Sequence, residues 1–419
     1  MKTYKIKRNL LEFLLLLLLL LPVICLLLYN YKGIFINYNN LHIYIYIPII
    51  LISISTIGVI KREHYYFFLF FAMILILNAL GHVKNSGIKG IYLFLQTISG
   101  YYMLVFLGWA LYKLYLETEN EYRLFKIILR MGGFIAIINI FNFILLQTDN
   151  YIYDGGYVII FNRYTFITDY VIKVNKNFFD YIILSAKWND VGFIRHVGYF
   201  FDMHSQFYFP MAAGIILLLN RNITKYKWIY IPIIFLSLIF SGIKTAYVII
   251  VLLLLIYLFI NGSFVKTLKI ISLPVFTVII IFRRKILHIL TGNQLWKIAL
   301  QLVNHILLIP IAFFSTDIIS FFIGGVPEFR DNIKFYSEIF WVTVTFYIGF
   351  IGLFVYLKPI KLLKHIRNSN IKTGAFLYLL LFFSMAHYGV YCLGINNLVS
   401  AIPFMYYFRI INKNYVEKK

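Results

Sequence analysis

Apolar runs long enough to cross a bilayer recur along the whole chain, and a soluble core has no place for so many. The first, Leu10 to Tyr29, follows Lys2, Lys5, Lys7 and Arg8. It exceeds the length of a signal-peptide core and no small-x-small cleavage site follows it, so it reads as an anchor that is kept. Further runs lie at Leu41 to Ile60, Tyr65 to Val83, Ile91 to Tyr115, Leu124 to Gln147, Val197 to Leu219, Trp228 to Ile243, Ala246 to Ile260, Phe264 to Phe282, Glu338 to Leu357, Thr373 to Cys392 and Ile395 to Ile411. The expectation is an all-α polytopic membrane protein of about 12 transmembrane helices, a single integral membrane domain over residues 1–419. With 62% apolar and only 13% charged residues, an ordinary soluble domain is excluded. Aromatic residues reach 20%, but they accompany abundant Ile, Lys and Asn, the bias of an AT-rich genome, and alone argue for neither carbohydrate nor nucleic acid.

A net charge of +23, from 39 Lys plus Arg against 16 Asp plus Glu, would point to nucleic acid in a soluble domain. Here it is first an orientation signal, because cytoplasmic loops of membrane proteins are enriched in Lys and Arg. With the N-terminus inside, short loops alternate between basic and nearly neutral, and Lys358, Lys361, Lys364, Arg367 and Lys372 fall on the cytoplasmic side. Both termini are then cytoplasmic, and nucleic acid is not an expected partner. An apolar stretch at 307–325 has nearly the length of a thirteenth span, but counting it would turn the most basic loop outward. With Asp317 near its middle, it is expected to dip into the interface or pack on the bundle. Cys25 and Cys392 lie far apart in apolar runs, so neither a disulfide framework nor a metal-ligand spacing is present, and no cofactor or metal is expected.

Two long extracytoplasmic loops remain, 148–196 and 283–337, and function is expected there. Ten of the 16 acidic side chains fall on this outer side, interspersed with basic ones. Arg284 to His305 carries Gln294, Lys297, Gln301 and Asn304 at i, i+3, i+7 and i+10, the stripe of an interfacial helix lying flat on the membrane. No internal repeat and no inverted pair of Gly- or Pro-broken spans is visible, which argues against a secondary transporter.

Three segments carry candidate chemistry. In "RHVGYFFDMHSQFYF", at the mouth of the sixth expected helix, Arg195, Tyr199, Asp202 and Gln206 share an arc of about 60° if the segment is helical. They would form the polar wall of an outward cleft, with His204 off the stripe; the plainer alternative is interfacial residues that snorkel or pair with a neighbouring helix. In "FSGIKTAY", Ser241 and Gly242 make a corner between two helices and Lys244 opens the second. Backbone N–H groups at a helix start plus an ammonium suit a phosphate, although a lone Lys at a helix end is more often a snorkelling group. The third segment runs from the Gly324–Gly325 turn through Glu328, Arg330, Asp331 and Asn332 into a helix with Gly349 and Gly352. Its charges can supply a general base and an anion clamp, or simply complement the dipole of the following helix. Arg283 and Arg284, with Lys285, form an outer basic triplet that suits lipid phosphate or merely flanks a long loop. Ser384, His387 and Tyr391 share a helix face, a pattern of interhelical hydrogen bonding more than of catalysis.

In order and spacing, these three segments resemble the O-antigen polymerase and ligase superfamily of bacterial surface-polysaccharide proteins, over roughly Arg195 to Leu357. The family's Ser-Gly-x-basic-Thr-Ala corner is matched by Ser241, Gly242, Lys244, Thr245 and Ala246, and its acidic-or-His plus Asn pair before Gly-x-x-Gly by Asp331, Asn332, Gly349 and Gly352. Lys244 stands where an Arg is usual, and Asp331 where ligases tend to have His, which favours polymerase over ligase. The resemblance implies an inverting, metal-independent glycosyltransferase of the bacterial cytoplasmic (inner) membrane, acting on its outer face. It would join polyprenyl-diphosphate-linked oligosaccharide repeat units during O-antigen, capsule or exopolysaccharide synthesis. Arg195, Lys244, Arg283 and Arg284, with Arg330 in reserve, would stabilise the leaving diphosphate; Asp331, then Asp202 and Glu328, are the candidate bases. Tyr199, His204, Gln206, Asn332 and His387 would be supporting polar groups. A flippase and a chain-length regulator are the implied partners. A flippase or exporter of lipid-linked oligosaccharide and an O-antigen ligase are the alternatives for the chain itself.

Overall fold

The structure, a computed structural model, describes residues 2–32, 38–57, 62–147, 185–187, 194–196, 207–220, 222–241, 244–261, 317–325, 340–385 and 396–412. Helices α1 (Lys2–Lys32), α2 (Tyr38–Ser55), α3 (Arg62–Ser86), α4 (Lys89–Thr97), α5 (Met103–Leu111) and α6 (Glu121–Gln147) come first. Two π-helical turns, Ile98–Tyr102 and Tyr112–Leu116, extend α4 and α5 into one rod, Lys89–Leu116. A short antiparallel pair, β1 (Ser185–Lys187) and β2 (Ile194–His196), precedes α7 (Tyr208–Leu219), α8 (Lys227–Phe240) and α9 (Lys244–Asn261). Then follow α10 (Ile318–Ile323), α11 (Phe340–Leu357), a 3-10 helix (Lys358–His365), α12 (Ser369–Met385), α13 (Asn397–Ser400) and α14 (Ile402–Ile411).

Each apolar run read from the sequence contains helix, save Phe264 to Phe282, which lies outside the described residues. Among the described residues four helices are long and apolar enough to cross a membrane: His64–Ser86, Lys89–Leu116, Glu121–Phe141 and Val344–His365. Only 33% of the His64–Ser86 window is buried inside the protein, and Leu69, Met73, Ile76 and Leu80 run exposed along its outer face, the stripe expected of a helix solvated by lipid. The stretch 307–325 ends in α10, six residues long, which packs on α3 and α11; residues 307–316 lie outside the described residues.

Packing follows small residues and aromatic rings. α5 lies between α2 and α14, and α6 against α7 and α8. At Gly108 the α5 backbone approaches α14 so closely that a Cβ there would stand 2.5 Å from Phe404 Cβ. Next to this crossing, Trp109 meets the rings of His64, Phe68 and Phe408 at centroid distances of 5.1, 4.9 and 5.1 Å. Ion pairs gather at the same end of the rod: Glu12 accepts from Tyr115 at 2.6 Å and from Arg123 at 2.5 Å, and Lys113 pairs with Glu117.

Residues 194–196 are extended and paired with 185–187, with Arg195 opposite Ala186, and β2 rests on α6. The described helix of the sixth run is α7, with Pro210 in its first turn, the part of a helix in which its missing N–H is not needed. Arg195 thus lies in a strand and not in the expected helix, while Tyr199, Asp202 and Gln206 lie outside the described residues.

The crossing at Gly108 generates a paired test. Gly108→Ala is expected to destabilise the detergent-solubilised protein by about 1–3 kcal/mol through overpacking against Phe404. Gly100→Ala, where a Cβ meets nothing within 4 Å, is expected to stay within about 0.5 kcal/mol, both read from thermal unfolding.

Candidate functional site

The densest polar arrangement that includes a motif residue lies where α3, α10 and α11 meet. It begins with a broken helix: Gly349 inside α11 has φ 73° and ψ 164°, outside the right-handed helical region and open to glycine alone without strain. The break frees carbonyls that an intact α11 would have used. Tyr347 O accepts from Gly325 N at 3.1 Å and from Asn78 Nδ2 at 2.8 Å, while Tyr102 Oη donates to Ile348 O at 3.4 Å. The second amide hydrogen of Asn78 goes to Ile323 O, the last carbonyl of α10, at 2.8 Å. The rings of Tyr101 and Tyr347 stack at 5.2 Å, and Tyr356 Oη donates to Tyr101 O in the π-turn at 2.6 Å.

The Gly324–Gly325 turn fills the gap beside the break. Both residues have positive φ, 80° and 81°. A Cβ on Gly324 would lie 2.3 Å from Gly349 N, and one on Gly325 would lie 2.3 Å from His82 N. Three backbones thus touch where no side chain fits. Asn85 Nδ2 donates to Gly325 O at 3.1 Å, and the Ser320 hydroxyl lies between Asn85 Oδ1 and Asp317 Oδ2. Asp317 caps α10 by accepting from Ser320 N at 3.2 Å, and pairs with Lys84. This hydrogen bond from Lys84, with those from Ser320, holds the Asp317 carboxyl down at about 2, below the ordinary carboxylate range. Asp317 is therefore a permanently charged latch and a poor proton acceptor at neutral pH.

One helical turn of α3 carries two buried polar side chains, Asn78 and His82. Thr97 donates its hydroxyl hydrogen to Leu93 O at 2.9 Å, so at the 3.0 Å contact with Thr97 Oγ1 the ring nitrogen His82 Nε2 is the donor. Asn78 Oδ1, an acceptor, is wholly buried with no hydrogen-bond partner among the described residues. Unsatisfied buried polar atoms cost about 1–3 kcal/mol each, and where a fold keeps them they mark functional or strained places.

Of the residues singled out in the sequence, Gly324, Gly325 and Gly349 are brought together here. Ser241 ends α8, with its hydroxyl donating to Leu238 O at 2.7 Å, and Lys244 is the first residue of α9. Arg195 sits in β2. Asp202, Glu328, Asp331, Arg283, Arg284, Arg330, Tyr199, His204, Gln206, Asn332 and His387 lie outside the described residues. Among the described residues no group of three or more His, Cys, Asp or Glu is placed to hold a metal ion. The sequence reading overlooked Asn78, His82 and Asn85, whose signal is a polar stripe at i, i+4 and i+7 in an otherwise apolar span.

Two tests follow from this joint. Asn78→Leu strips Ile323 O of its donor and is expected to destabilise the seat of α10 by about 1–3 kcal/mol, seen as faster backbone hydrogen exchange over 318–325. The Lys84–Asp317 latch is complete above the unfolded carboxyl pKa of about 4 and is lost as pH falls through about 2. Exchange protection of 318–325, corrected for intrinsic rates, should therefore fade across that window in the wild type and stay level in Asp317→Asn, which keeps a capping side chain. Compared with known proteins, the chain matches no family model, no curated protein and no solved structure.

Proposed function

We propose that the protein is a polysaccharide polymerase, an inverting, metal-independent glycosyltransferase acting on polyprenyl-diphosphate-linked repeat units at the outer face of a bacterial cytoplasmic membrane. The observation that carries this reading is the joint at Gly349. The glycine turn before the charged segment and Gly349 after it belong to the third of the three segments on which the family resemblance rests, and they are in contact. Gly325 is bonded to α11 and the chain re-enters α11 at Phe340, so Glu328, Arg330, Asp331 and Asn332 belong to a segment tied at both ends to one helix.

In the proposed step the acceptor sugar hydroxyl attacks the anomeric carbon of the donor glycan from the face opposite the diphosphate. The bond from that carbon to the diphosphate oxygen breaks, its electron pair leaves with the diphosphate, and the hydroxyl proton passes to a carboxylate. Asp331 is the first choice for that carboxylate, ahead of Asp202 and Glu328. The leaving group needs cations more than an acid, and Arg195, Lys244, Arg283, Arg284 and Arg330 are the candidates. Lys244 adds to its ammonium the N-terminal end of α9, which favours an anion.

The test compares lipid-linked glycans in a strain lacking the gene and in that strain carrying wild type, Arg195→Ala or Asp331→Ala. Single repeat units accumulating outside the membrane, with polymer restored by wild type alone, is the expected result. Units trapped on the cytoplasmic face would make the protein a flippase, and polymer that stays on its lipid carrier would make it a ligase.

A further inference from the structure

The 3-10 helix Lys358–His365 leaves the end of α11 and packs on α12 and α14. Its geometry gives its sequence a meaning that an α-helix would not. At three residues per turn, positions three apart stand in line about 6 Å from one another, whereas in an α-helix each such step turns by about 60°. Pro359 and Leu362 form the edge turned into the bundle, and both are buried. Ile360, Leu363 and Ile366 form a second edge, exposed at Ile360 and partly buried after it. Lys358, Lys361 and Lys364 form the third, and Arg367 continues the spacing just past the helix. Lys358 is fixed at the start of the row by the ring of Phe70, with its ammonium 4.6 Å from the ring centroid. Lys361, Lys364 and Arg367 are exposed, and among the described residues none of them is within ion-pairing distance of a carboxylate. Three described acids of the chain's ion-pair network are already engaged: Glu12 with Arg123, Glu117 with Lys113, and Glu121 with Arg409.

We infer that this edge, Lys358–Lys361–Lys364–Arg367, is a docking rail for anionic phospholipid headgroups where the bundle meets the membrane surface. Charge complementarity and the neighbouring edge choose this occupant: a row of cations, three of them exposed and without an ion pair among the described residues, lies beside an apolar edge, as in a helix resting in a bilayer interface. A basic loop that serves only to orient the chain during insertion needs the charges but not their alignment.

The test uses the purified full chain in mixed micelles of equal phosphatidylglycerol and phosphatidylcholine, with co-purifying lipid counted by mass spectrometry. Wild type should retain phosphatidylglycerol preferentially. The triple variant Lys361→Gln/Lys364→Gln/Arg367→Gln should lose at least about tenfold of that preference, on a scale of roughly fivefold per charge near a membrane. Lys361→Arg/Lys364→Arg should keep it. The exchange Leu363→Lys/Lys364→Leu preserves net charge while moving one cation off the row, and should lower the preference severalfold. Equal retention of both lipids by wild type, or an unchanged preference in the triple variant, overturns the rail. An unchanged preference in the exchange variant overturns its alignment, leaving charge number as the sole determinant.

Discussion

Inside an apolar bundle, a carbonyl that loses its helical partner has no water to replace it, and the break at Gly349 creates that condition in α11. The local architecture at this end follows from meeting it. Asn78 serves Tyr347 O and Ile323 O together, Gly325 N shares Tyr347 O, and Tyr102 serves Ile348 O. These few bonds join α3, α10, α11 and the first π-turn, none of which are neighbours in sequence as a group. A side chain at Gly324 or Gly349 would push the backbones apart, so the donors and the glycines depend on each other.

The helices were largely legible because their signal is local: an apolar run declares itself residue by residue. What decides their ends is less visible. Helix is described in the sixth run from Tyr208, while Arg195, just ahead of that run, pairs with Ala186 in a strand. Three-residue strands carry too little alternation to be seen in a sequence. The glycines of the joint were legible as a motif, but not that Gly324 seats on Gly349, because that contact depends on a tertiary fold. The Lys84–Asp317 pair spans 233 positions, which no local pattern encodes. Asn78, His82 and Asn85 were readable as a polar stripe, and attention to the long loops concealed them.

The two ends of the bundle solve opposite electrostatic problems. At the joint, neutral amides and carbonyls satisfy one another, the Lys84–Asp317 ion pair is exposed, and Asn78 Oδ1 remains as a buried acceptor. Around Glu12, Arg123, Glu121 and Arg409, charges are matched within the fold, while Lys361, Lys364 and Arg367 meet no carboxylate among the described residues. A polymerase reading places chemistry near the first end and leaves the second to handle the bilayer, so the two proposals stand or fall separately.

The rod from Lys89 to Leu116 adds a consequence of its own. A π-turn is a helix with one extra residue, and this rod has two. Each insertion advances the phase of the helix, so the face that meets α3 through Thr97 is not continued by simple periodicity into the face that meets α14 at Gly108. Removing a single residue at Gly100 would leave a regular, well-bonded helix and still rotate everything beyond it by about 100°. Trp109 would turn away from His64 and Phe408, and Tyr115 from Glu12. Register in this rod is carried by its length in residues as much as by the identity of any one of them.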